Sequence, residues 1–208
     1  MMTKRELGRS AIALAAASVL PLAGTRAFAV DDDTLQAGSL LIDDMSTPGR
    51  ASYGGQWQLS TDRVMGGVSL GDARYVDEGG GEGSGAIHMT GQVSTANNGG
   101  FVQVSLRLRP QINASAYSGV EVRVKSAVAR TYWVHLRDAN SWRPWQVHNA
   151  SFESSTSWST VRVPFDSFDP YRAGQRRLDP SSLQRIGLVA GYEDFEADIT
   201  FGSVGLYR

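Results

Sequence analysis

The sequence predicts an all-β chain folded as a single antiparallel β-sandwich of the jelly-roll type, and three observations carry that prediction. Apolar residues recur at every second position in about ten short segments, clusters of Gly, Asn, Asp and Pro separate those segments, and no sustained stretch has the 3.6-residue apolar period of a helix. Alternation sends one face of each strand into a core and leaves the other wet. Many short strands of this kind close into two packed layers.

The first element in chain order lies outside the sandwich. Lys4, Arg5 and Arg9 flank the start of an apolar run over residues 11–22, followed by Ala27-Phe28-Ala29 and then Asp31-Asp32-Asp33. A basic region, an apolar core and an A-x-A site in this order read as a cleaved export signal over residues 1–29, with one domain over residues 30–208. The apolar run is too short to cross a hydrocarbon layer of ~30 Å as a stable helix, so no transmembrane segment is expected in the mature chain. Residues 3–9 are similar to a twin-arginine signal with lysine in the first arginine place. That route and ordinary Sec export both stay open, and both lead to the periplasm.

Past the acidic stretch, strands are expected near residues 40–43, 57–59, 86–93, 102–109, 120–125, 131–137, 145–152, 159–165, 185–190 and 198–207. In one of them Val102, Val104, Leu106 and Leu108 alternate with Gln103, Ser105, Arg107 and Arg109; in the next Val120, Val122 and Val124 alternate with Glu121, Arg123 and Lys125. Turn chemistry falls between them, at Gly79-Gly80-Gly81, Asn97-Asn98-Gly99-Gly100, Asp138-Ala139-Asn140 and Asp179-Pro180. One helical turn is expected at residues 180–184, with Asp179 as cap and Pro180 in the first position.

Charge and cysteine content narrow the function. The chain has 20 Lys and Arg against 21 Asp and Glu. Residues 1–29 hold four of those cations and one of those anions, which leaves 16 against 20 and a formal charge near −4 in the mature chain. That balance argues against nucleic acid as a partner, because such binding rests on neutralising phosphates. The absence of cysteine removes disulfides, thiolate catalysis and thiolate-held zinc. Gly67-Val68-Ser69-Leu70-Gly71 fits the nucleophile-elbow spacing, but no helix is expected after Gly71 and no β/α alternation exists to raise the serine above a parallel sheet. Gly81-Glu82-Gly83-Ser84-Gly85-Ala86 is likewise no dinucleotide loop, since it opens no helix. With no acid–base constellation to assign, no catalytic residue is named and the chain reads as a non-catalytic module.

The candidate binding surface is aromatic. Trp133, His135 and Arg137 share one face of a strand, and Trp142 and Trp145 follow across a short turn. Exposed, these rings form a platform for sugars or for an aromatic-rich protein interface; pointing inward, they fill the core. Antiparallel pairing has the means to bring His135 towards His148, although separate hydrogen-bonding roles suit the histidines better than a metal site. Asp43, Asp44, Glu193, Asp194, Glu196 and Asp198 offer oxygen ligands for Ca²⁺ where terminal strands meet, with a solvated acidic edge as the plainer reading.

The most specific stretch is Ser60-Thr61-Asp62-Arg63-Val64-Met65-Gly66-Gly67-Val68-Ser69, followed in order by Asn97-Asn98-Gly99-Gly100-Phe101, Tyr117-Ser118-Gly119-Val120, Trp158-Ser159-Thr160-Val161-Arg162-Val163-Pro164-Phe165 and a carboxyl end from Arg185 to Tyr207. Together these resemble the complex I intermediate-associated protein 30 family. The resemblance implies a galactose-binding-domain-like jelly roll, the architecture of many carbohydrate-binding modules, and an assembly role of the kind known for a mitochondrial factor of the respiratory NADH dehydrogenase. Within the signature, Asp62, Arg63, Gly66 and Gly67 read as an internal clamp against Asn98 and Gly99, with a binding role as the alternative. Two functional classes follow: an exported protein-binding or assembly module, and a carbohydrate-binding module using the tryptophan face. The partner is accordingly a protein or a glycan of the cell envelope.

Overall fold

The computed structural model describes residues 29–30, 38–78, 85–171 and 176–208. Its strands are β1 (Ala29–Val30), β2 (Leu40–Asp43), β3 (Trp57–Thr61), β4 (Leu70–Val76), β5 (Ala86–Val93), β6 (Phe101–Ile112), β7 (Gly119–Ser126), β8 (Thr131–Asp138), β9 (Val147–Glu153), β10 (Ser159–Pro164), β11 (Asp169–Tyr171), β12 (Leu183–Gly191) and β13 (Phe195–Tyr207). One sheet runs β1-β10-β7-β13-β5-β4, with β2 pairing the far end of β13; the other runs β11-β9-β8-β12-β6-β3. Every pairing is antiparallel. The predicted antiparallel sandwich is therefore the fold.

The alternation read from the sequence is what packs the two layers. Val102, Val104, Leu106 and Leu108 of β6 meet Val120, Val122 and Val124 of β7 in one core with Ile186, Leu188, Ile199 and Phe201. Burying each such side chain contributes about 1.5–3 kcal/mol. Tyr132 sits deep in this layer with its ring centroid 6.3 Å from Phe152 and 6.0 Å from Phe195. Among the described strands only β4–β5 and β8–β9 are neighbours both in sequence and in a sheet. Nearly every other connection carries the chain from one layer to the other.

Three described strands were not foreseen: the two-residue β1, β4 and β11. β4 presents Leu70, Asp72 and Arg74 outward and Gly71, Ala73 and Tyr75 inward, so its core side is mostly small residues and its wet side carries a leucine. Gly71 is required there, because a Cβ would run into the side chain of Val102. β11 is a three-residue edge strand against β9. Conversely Trp145, expected at the start of a strand, lies in the loop before Val147. The helical turn is present as a 3-10 turn over Pro180–Ser182, and the Asp179 carboxylate accepts the Ser181 N–H as its cap. The segment before Ala29, where an export signal is expected, and the glycine run at 79–84 lie outside the described residues.

Candidate functional site

Two constructions stand out, a buried clasp at the signature motif and a polar-aromatic sheet face. In the clasp, Asp62–Met65 forms a 3-10 turn, with Gly66 closing it at φ +90°. Asp62 is wholly buried while Arg63 and Asn98 face solvent. The Asp62 carboxylate accepts the Ser69 N–H at 2.9 Å, the Ser69 hydroxyl at 2.5 Å, the Gly100 N–H at 2.5 Å and the Phe101 N–H at 3.4 Å. Burial alone would raise its pKa; the donors from Ser69, Gly100 and Phe101 outweigh that and hold it below the usual carboxylate range. Gly67 and Gly99 lie against this carboxylate so closely that a Cβ on either would overlap it. Asp62 thus ties the β3–β4 crossover to the β5–β6 crossover. Ser69, the serine of the elbow-like spacing, is fully buried as one of the ties.

The second construction is the outer face of the β11-β9-β8-β12-β6-β3 sheet. Tyr132, Val134 and Leu136 of β8 enter the core, so Trp133, His135 and Arg137 point outward together. Tyr192 follows β12 with a left-handed backbone, φ +73°, and folds back over them. Its ring centroid is 4.5 Å from that of Trp133 and 6.0 Å from that of Tyr171. Its hydroxyl accepts the Asn149 Nδ2–H at 2.9 Å and lies 2.8 Å from His135 Nε2. Burial pushes His135 down to about 4 and Tyr192 up to about 12, so both are neutral at pH 7.

Beyond His135 the strand delivers Arg137 to the loop over residues 139–146. The Arg137 guanidinium donates to the Ser141 carbonyl at 2.6 Å and to the Arg143 carbonyl at 3.0 Å, bracketing Trp142. Trp142 is 83% exposed and Trp145 43% exposed, the latter with the Arg143 guanidinium 5.5 Å from its ring centroid. The five residues read from the sequence therefore do share one region, and the loop tryptophans are outside the core. Trp133 is half-buried beneath Tyr192.

Other expectations resolve differently. Pairing sets His135 opposite Asn149 and Leu136 opposite His148, so His148 points into the interior and bonds the Arg176 carbonyl at 3.0 Å instead of approaching His135. His88 lies on the other sheet, 2.8 Å from Asp198. The acidic residues are dispersed: Asp43 accepts the Trp57 indole N–H at 2.7 Å, Asp194 accepts from Thr95, and Glu193 pairs with Arg130. Among the described residues no group of three or more His, Asp or Glu side chains is placed to hold a metal ion. Sequence reading missed Tyr171, Asn149, Arg185 and Tyr192. Arg107 and Arg185 were visible as strand residues, but only the register shows that Arg185 lies between Arg107 and Arg137.

In comparisons with known proteins, the model of the complex I intermediate-associated protein 30 family matches residues 49–201. No curated protein matches the chain by sequence. Among solved structures, a family 11 carbohydrate-binding module from Clostridium thermocellum in complex with a β-1,3-1,4-mixed-linked tetrasaccharide is similar with TM-score 0.64 and 15% identity, over 83% of this chain and 96% of that one. A family 30 carbohydrate-binding module is similar with TM-score 0.57 and 13% identity, over 82% of this chain and 88% of that one. An agarase shares the fold with TM-score 0.52 and 9% identity, over 81% of this chain but 26% of its own length. At these identities the likeness is one of fold.

Proposed function

This chain belongs to the complex I intermediate-associated protein 30 family, and from that premise we propose that it is a non-catalytic binding module of the cell envelope that takes a glycan on the outer face built by β8, β9 and the 139–146 loop. The observation that carries the reading is Trp142, an indole 83% exposed on a loop whose flanking carbonyls are pinned by Arg137. An exposed indole on a backbone tied at both neighbouring carbonyls has part of its ordering cost already met and is suited to stack on the apolar face of a sugar. Arg137, Asn149 and Tyr192 supply polar edges beside it. The sandwich similar to two carbohydrate-binding modules supports the same reading.

Titration with β-1,3-1,4-glucan by calorimetry tests this. Trp142→Ala is expected to weaken binding by about 1–3 kcal/mol with an unchanged melting temperature, since the ring contributes almost nothing to the core. Equal affinity of variant and parent would remove Trp142 from the site. The proposal includes export by cleavage of residues 1–29, so protein recovered from its native envelope is expected to begin at Val30 by mass spectrometry. An intact Met1 terminus would count against export by cleavage.

A second reading, a protein contact in an assembly role, is favoured by the signature itself. Val64, Met65, Val68 and Leu70 are all exposed, Val64 at 76%, forming an apolar patch around the clasp. Val64→Ser with Met65→Ser leaves the glycan face untouched and separates the two readings.

A further inference from the structure

Three arginines meet side by side on the outer face of the β8-β12-β6 sheet. Arg185 of β12 is directly opposite Arg137 of β8 on one side and Arg107 of β6 on the other. Directly paired residues on neighbouring antiparallel strands share a face and stand about 5 Å apart, so three guanidinium stems span roughly 10 Å. Like charges so placed repel, and a sheet ordinarily sets an acid among them. None is present. Among the described residues, Arg107, Arg137 and Arg185 form no ion pair with any carboxylate. Asp138, the nearest acid to Arg137 in sequence, turns to the buried side and is occupied by Ser141, Asn140 and the Asp179 N–H. Arg137 spends one terminal nitrogen on two neutral carbonyls and keeps a buried Nε–H with no acceptor.

A row of uncompensated cations is a standing cost to the fold, and an anion removes it. Each guanidinium offers a planar fork matched to a carboxylate. The row adjoins the loop of Trp142 and Trp145, so the anion it meets arrives next to stacking rings. Resting on the glycan reading above, we infer that the ligand is an acidic polysaccharide whose uronate carboxylates lie along Arg107, Arg185 and Arg137 while a neighbouring sugar ring stacks on Trp142. Nucleic acid fits poorly, because the chain as a whole is not cationic, with 20 Lys and Arg against 21 Asp and Glu. The charge is local, which suits a short run of carboxylates on a polymer held mainly by its rings.

The full mature chain and its Arg107→Gln/Arg185→Gln variant are compared by calorimetry against polygalacturonate, neutral β-1,3-1,4-glucan and poly-glutamate, at low and moderate salt. Both arginines lie outside the loop that fixes Trp142, so folding is expected to survive; relief of repulsion should leave the melting temperature level or higher. The parent is expected to bind polygalacturonate more tightly than neutral glucan, with affinity that falls as salt rises. The variant should lose about ten-fold or more towards polygalacturonate and keep its affinity for neutral glucan. Unchanged polygalacturonate binding by the variant overturns the inference. So does a parent that binds neutral glucan and ignores the uronate, although the glycan reading then stands. Binding to neither polysaccharide removes both. Poly-glutamate bound as tightly as polygalacturonate, with the same loss in the variant, makes the partner an acidic polypeptide and overturns the assignment to sugar.

Discussion

Asp62→Ala is expected to lower the unfolding free energy by about 4 kcal/mol, measured by denaturant titration at pH 7. The change removes four accepted hydrogen bonds and leaves the N–H groups of Ser69 and Gly100 buried without an acceptor. Asp62→Asn tests the charge separately, since the amide keeps one acceptor but turns donors towards donors. Gly67→Val should cost about 1–3 kcal/mol through the same contact, because its Cβ would occupy the space of the carboxylate. A loss under about 1 kcal/mol for Asp62→Ala would mean that the two crossovers are held together without it. The carboxylate also sets an acid limit. Its pKa is lower in the folded chain, so its stabilisation is present above the unfolded value of about 3.9 and fades as pH falls through the folded value.

His135 is expected to make the protein lose stability in a separate, milder window. Burial holds its pKa at about 4, against about 6.5 for a solvated imidazole. The unfolded chain therefore takes up a proton at a pH where the folded chain does not. Stability is unaffected by this group above about pH 6.5 and falls as pH drops towards 4, by on the order of 3 kcal/mol in total. His135→Gln cannot titrate, and its unfolding free energy should be nearly level across that window while still falling below it through the carboxylates. A parent and variant with parallel pH profiles from 6.5 to 4 would show that the Tyr192 cover opens readily enough to solvate the ring.

The sandwich was legible because Val102 to Leu108 and Val120 to Val124 state their alternation without interruption. β4 was not, because Gly71 and Ala73 hold its inward places and Leu70 sits on its wet side. The five surface residues read from the sequence come together for a local reason, lying on one strand and the loop that follows it. Tyr192 joins them from more than 40 residues away through a left-handed residue that no period announces. The arginine row is hidden in the same sense. Arg107, Arg137 and Arg185 each look like an ordinary wet position on a separate strand, and their adjacency is a property of register alone.

β13 sits at the centre of its sheet, hydrogen-bonded to β7 on one side and to β5 and then β2 on the other. β5 and β7 precede it by many residues and have no ladder with one another. A ribosome that has reached only Pro180 has therefore made almost every strand of that layer and nothing to join them, so the halves must wait with apolar faces open. Closure comes as one event when Phe195–Tyr207 slides between them, so this layer cannot be completed before its central strand has been made.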